Sequence, residues 1–151
     1  MTVGAERPAP ETSERDRVAS LYDNVCKRAC DIYRKTVNED DLRMGHNVQR
    51  FFGKNYYIDL EMLRVCNDVV LFSIRTMGPR GFSSIGYDPL GEEPLSDFDR
   101  INYENIGIYV GEDHDSMKSL EASEENLATA LGMINTAFNS YYQLRSGEQD
   151  G

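Results

Sequence analysis

A change of hydrophobic period divides this chain into three parts. Near the start, Val18, Leu21, Tyr22, Val25, Ala29, Ile32 and Tyr33 recur at intervals of three and four. Near the end, Leu127, Ala130, Leu131, Ile134, Phe138, Tyr141 and Tyr142 do the same. Each set makes one apolar stripe on a helix. Between them the period is two. Tyr56, Ile58, Leu60 and Met62 alternate with Tyr57, Asp59, Glu61 and Leu63. That is a strand with one dry and one wet face. A chain with helices at its ends and strands in its middle must cover a sheet with helices to bury both sets of apolar residues.

Local signals set the boundaries. Residues 1–12, with Pro8 and Pro10, read as a flexible tail. Ser13 opens the first helix with acids in its first turn. Asn38 before Glu39-Asp40-Asp41 repeats that start signal, so a second helix is expected over Glu39–Phe52, with Leu42, Val48, Phe51 and Phe52 inward. Gly53 then takes a left-handed cap position. Asn67-Asp68 supplies turn chemistry for a hairpin around Arg64–Asp68, whose second strand runs from Val69 to Met77. Gly78–Arg100 is rich in Gly and Pro yet carries Phe82, Ile85, Tyr87, Leu90, Leu95 and Phe98. A packed loop is expected there, with a short strand at Phe82–Tyr87 and a helical turn opened by Ser96. Ile106, Ile108 and Val110 mark a further strand, and Ser123 opens the last helix. Residues 146–151 read as a frayed tail. The expected fold is one α+β domain over residues 13–145, helices on one face of a small antiparallel sheet, in the order α-α-β-β-loop-β-α.

Charge is segregated. Residues 1–75 hold 12 bases and 12 acids, whereas residues 76–151 hold 4 bases and 14 acids, which carries the whole net charge of −10. An acidic field repels nucleic-acid phosphates and attracts basic partners, so a protein partner with a basic surface is expected and nucleic acid is not. The longest strongly apolar run, Val69-Val70-Leu71-Phe72, is far short of the roughly 20 residues a membrane helix needs. Cys26, Cys30 and Cys66 are odd in number and lack framework spacing, which points to a reducing, cytoplasmic type of compartment.

No catalytic motif is strong. Cys26, Cys30, Cys66 and His46 could supply four zinc ligands, but the two helical cysteines adjoin the apolar stripe and read as core packing. Asp113-His114-Asp115 could hold a general base, and reads more simply as a turn or cap. Asp59 and Glu61 point to one side of a strand, as a magnesium-binding pair would, but lack the usual neighbouring lysine. Gly78-Pro79-Arg80-Gly81 resembles a phosphate-cradling turn in composition only. Gly81–Gly86 misses a nucleophile elbow by one residue, and no P-loop or dinucleotide fingerprint is present. Lys27, Arg28, Arg34 and Lys35 form a basic group on the first helix, read as a solvated face or a phosphate contact. No metal or other cofactor is implied.

Nine tyrosines and six phenylalanines with no tryptophan are a heavy aromatic load. Tyrosine is enriched at surfaces that are half dry and half wet, so one member of each doublet, Tyr56-Tyr57 and Tyr141-Tyr142, is expected at a partner surface. The expected function is a small acidic, non-catalytic interaction module, an adaptor, chaperone or inhibitor, that also self-associates. Its expected contacts are Phe82, Tyr87, Glu92, Glu93, Asp97 and Asp99 in the long loop. A first alternative is a ligand-binding or enzymatic site at Gly78–Ser84, with Arg75, Arg80 and Ser83 holding an anion. A second alternative is an inhibitor of a nucleic-acid-binding protein, acting through Asp97, Asp99, Asp113 and Asp115.

Overall fold

The computed structural model describes residues 13–36, 45–65, 68–87 and 93–150. Helix α1 (Glu14–Thr36) leads into strands β1 (Gly45–Phe52), β2 (Tyr57–Val65), β3 (Asp68–Gly78), β4 (Gly81–Tyr87), β5 (Ile106–Gly111) and β6 (Lys118–Leu120), and helix α2 (Glu124–Asp150) closes the chain. The strands form one six-stranded antiparallel meander in sequence order. The fold is α+β, with both helices on one face of the sheet.

The order α-β-β-β-β-β-β-α differs in detail from the expected α-α-β-β-loop-β-α. Gly45–Phe52, expected to end a second helix, is strand β1. Its burial alternates, with Asn47, Gln49 and Phe51 on the inner side and His46, Val48, Arg50 and Phe52 on the outer side. Two signals weighed against a helix: Gly45 has φ +93°, and apolar residues at 48, 51 and 52 fit a helix stripe no better than alternation. The start signal at Asn38–Asp41 and Leu42 lie outside the described residues. Gly53 is not a left-handed cap. It sits in the β1–β2 hairpin, its N–H donating to the Tyr56 carbonyl at 3.0 Å, and a Cβ there would collide with the Tyr56 ring.

The expected loop at 78–100 is also partly strand. β4 begins at Gly81, whose φ of +109° suits the tight Pro79-Arg80 turn. The helical turn that follows is Phe98–Arg100, preceded by Asp97 rather than opened by Ser96. β6 was not anticipated, because three residues carry no readable period. α2 is capped as expected, Ser123 Oγ accepting the Asn126 N–H at 3.1 Å, and it runs on to Asp150 through the positions expected to fray.

The core is a single layer between sheet and helices. Val18, Tyr22, Val25, Ala29 and Ile32 of α1 and Leu127, Leu131, Ile134 and Phe138 of α2 meet Ile58, Leu60, Met62, Ile74, Ile85 and Ile108 of the sheet. α2 approaches closely at two points. A Cβ on Gly78 would lie 3.0 Å from Ala137, and Ser83 Oγ donates to the Ala130 carbonyl at 3.0 Å. The loop after β4 is fastened from below: the Leu95 N–H donates to the Leu71 carbonyl, Phe98 packs on Tyr22, and the Tyr87 hydroxyl accepts the Asn102 N–H. Among the described residues, no helix covers the other face of the sheet.

Candidate functional site

Cross-strand partners share a face, so the register assigns every side chain on the uncovered side. Three rows run across it. The first holds Phe52, Tyr57, Met77 and Phe82; the second holds Arg50, Asp59, Arg75, Ser84 and Tyr109; the third holds Val48, Glu61, Ser73, Gly86 and Gly107. His46 and Leu63 follow beyond. A register shift between Glu61 and Met62 inserts Phe72 into β3, and its ring lies 5.0 Å from that of His46.

This face combines apolar and paired polar groups. Phe52 is 69% exposed and Val48 62%, the most exposed large apolar side chains described. Tyr57, Leu63, Val70, Phe72, Met77 and Tyr109 are half-buried. A bidentate pair joins Arg50 to Asp59, Nε to Oδ1 at 2.6 Å and Nη2 to Oδ2 at 2.8 Å, and the same guanidinium lies 4.2 Å from the centre of the Tyr57 ring. Asp59 favours the charged guanidinium and raises the Arg50 pKa further. Burial, and then the Asp59 charge, push the Tyr57 phenol upward. Glu61 receives the His46 Nε2 at 2.8 Å and the Ser73 hydroxyl at 3.2 Å.

Arg75 stands apart. It lies opposite Asp59 on one side and Ser84 on the other, half-buried. Both Asp59 oxygens are already bonded to Arg50, and Arg75 makes no hydrogen bond or salt bridge among the described residues. It is therefore a cation near the middle of the uncovered face with its donors unspent.

Sequence reasoning found parts of this site and misplaced others. Asp59 and Glu61 do share a face, but each is engaged by a basic side chain rather than merely solvated. His46, Ser73 and Glu61 do not form a nucleophilic relay, because the hydroxyl and the imidazole both bond the carboxylate and not each other. Of the expected loop contacts, Phe82 is fully buried under His114, ring centres 5.3 Å apart, and Tyr87 faces the core. Glu93 and Asp97 are exposed, Asp99 bonds Arg15 at 3.1 Å, and Glu92 lies outside the described residues. The expected anion set is dispersed: Arg75 is on the uncovered face, Arg80 is in a turn beside Gly132 of α2, and Ser83 points into the core. Ser84, not Ser83, is the hydroxyl facing Arg75.

The remaining candidates have structural roles. Asp113 and Ser116 form a reciprocal cap around the turn His114–Ser116. Cys26 and Cys30 are free thiols packed against the core, and burial, then the Cys30 charge, push the Cys26 thiol up to about 12. Cys66 is outside the described residues. No group of His, Cys, Asp or Glu able to hold a metal occurs among the described residues. Arg28 of the basic helix group is committed to Asn135, Asn139 and the Tyr142 ring. Tyr56 and Tyr141 are the buried members of the two doublets. No helix among the described residues is long and apolar enough to cross a membrane.

No protein-family profile matches the chain, and no curated protein and no solved structure resembles it.

Proposed function

We propose that this chain is a non-catalytic protein-interaction module that holds its partner on the uncovered face of the sheet. The observation that supports this most is the pairing of exposed and half-buried apolar side chains, Phe52 and Tyr57 on one side of the charged row and Val48 and Phe72 on the other, with Arg75, a half-buried residue that makes no hydrogen bond or salt bridge among the described residues. Exposed apolar area of this kind marks an interaction surface. Arg75 says more. An entirely apolar occupant would bury it unpaired, at a cost that burial of apolar area does not offset. The partner therefore brings a carboxylate to Arg75, with apolar side chains around it. The acid surplus of residues 76–151 acts at longer range and favours a partner whose overall charge is positive.

The test is retention of partners from an extract of the source cells, followed by direct binding to each partner once purified. Phe52→Ser and Arg75→Glu each abolish binding on this reading, while Asp97→Lys and Glu93→Lys in the loop leave it intact. Backbone amides of β1 to β3 gain protection from exchange on binding. Loss of binding confined to the loop variants would overturn the placement of the site.

A further inference from the structure

Among the described residues, no strand pairs with the outer edge of β1. An unpaired edge is a hazard that proteins usually blunt with lysine, proline, a bulge or very short length. The opposite edge, β6, has three residues. β1 has eight, contains neither lysine nor proline, and pairs with β2 without a register shift. Two of the three exposed large apolar side chains among the described residues, Val48 and Phe52, are on it. Its outer rim is thus built for pairing.

The hydrogen-bond phase shows which groups the edge offers. The Gly53 N–H donates to the Tyr56 carbonyl, so Gly53 and Tyr56 are a bonded pair. Bonded and non-bonded pairs alternate along an antiparallel ladder. Phe51, Gln49 and Asn47 therefore direct their backbone groups toward β2. His46, Val48, Arg50 and Phe52 direct theirs outward.

We propose that β1 pairs antiparallel with β1 of a second copy of this chain, joining the two sheets across a twofold axis at Gln49. A twofold requires each residue to face one on the same side of the sheet, which leaves few registers. With Gln49 opposite Gln49 of the second copy, His46 meets Phe52 and Val48 meets Arg50, so all four outward residues pair. Sliding two residues one way sets Arg50 against Arg50. Sliding two the other way sets His46 against Arg50. The Arg50–Arg50 contact puts like charges directly opposite, which is unfavourable, and both slides shorten the overlap. The self-pairing that uses the whole strand also avoids the Arg50–Arg50 contact. It extends the aromatic residue Phe52 across the join rather than covering Arg75, so the carboxylate-binding face proposed above stays open, and the two proposals stand or fall separately.

The first measurement is the light-scattering mass of the wild-type chain and of Val48→Pro, with circular dichroism to confirm that the variant is folded. Proline at 48 removes an outward N–H and leaves the bonds to β2 intact. The wild type is expected at twice the 17.2 kDa of one chain, and Val48→Pro at a single chain mass. The second is oxidative cross-linking of Gln49→Cys, which does not depend on the proline variant folding. Non-bonded pairs bring Cα atoms to about 4.5 Å, within disulfide reach. Gln49→Cys is expected to give a cross-linked dimer on a denaturing non-reducing gel, while Val48→Cys, Asn47→Cys and the wild type with its native thiols form no cross-link and run as single chains there. A monomeric wild type, a folded Val48→Pro that stays dimeric, or cross-linking strongest at a position other than 49 would each overturn the proposal. Partner binding retained by Gln49→Cys, whose side chain is on the helix side of the sheet, would leave the proposed function standing.

Discussion

The three charges at the middle of the uncovered face make a quantitative test of how Arg75 is held in reserve. Asp59 is 9% exposed and sits between Arg50 and Arg75, with Arg50 alone bonded to it. Replacing Arg50 by Met keeps most of the aliphatic stem and removes the bidentate pair together with the guanidinium over the Tyr57 ring. Bonds to a charged group contribute about 1.5–3 kcal/mol. Arg50 is 55% exposed in its side chain, so solvent reduces its share to about 1–2 kcal/mol. The realised loss is smaller still, about 1 kcal/mol, because Arg75 is opposite the same carboxylate and can turn to it. Arg75→Met alone costs less than about 0.5 kcal/mol, since it breaks no pair. Removing both arginines strands a buried carboxylate, for which about 3–4 kcal/mol is the expected loss. The double variant should therefore lose roughly 2 kcal/mol more than the sum of the singles. Urea unfolding of the four proteins at pH 7, repeated with Asp59→Asn, measures this. In the Asp59→Asn background the excess vanishes. Additivity within about 0.5 kcal/mol would show that Arg75 cannot reach Asp59 and would refute the reasoning.

Three further outcomes are expected. Gly81→Ala places a Cβ 2.5 Å from the Gly111 carbonyl oxygen at φ +109°, and should cost about 2 kcal/mol or more, seen as a fall of roughly 5 °C in Tm. Ser123→Ala removes the acceptor for the Asn126 N–H and should cost about 1 kcal/mol in thermal unfolding, whereas Ser123→Asp should not. The Cys26 thiol has its pKa raised from about 9 to about 12 by burial, so the folded state holds that proton more tightly than the unfolded chain. Its contribution is full below about 9 and is lost as the pH rises toward about 12, so stability should fall across that window, and Cys26→Ala should flatten the fall.

Much of the interior was legible in the sequence because it depends on period alone. The stripes of α1 and α2 and the alternation of Ile58, Leu60 and Met62 all face the core as read. The β2–β3 hairpin and strand β4 also follow from local signals. β1 was misread because a short segment with apolar residues at 48, 51 and 52 fits both periods, and only pairing with β2 decides between them. The loop contacts were misread for a different reason. Phe82 and Tyr87 are aromatic residues near acids, which suggests a surface, but burial depends on what folds over them. His114 covers the one and Asn102 closes over the other.

The sequence by itself determined the class of fold, the helix-facing side of β2 and β5, the caps at Ser123 and Asp113, and the segregation of charge. Each of these is set by residues close together in the chain. Only the tertiary structure decided which face of the sheet is covered, that Arg50 takes both oxygens of Asp59 while Arg75 is left over, and that Ser84 rather than Ser83 lies beside it. Those facts depend on register between strands and on where two helices settle, and register is a property of pairs of segments that no single segment contains.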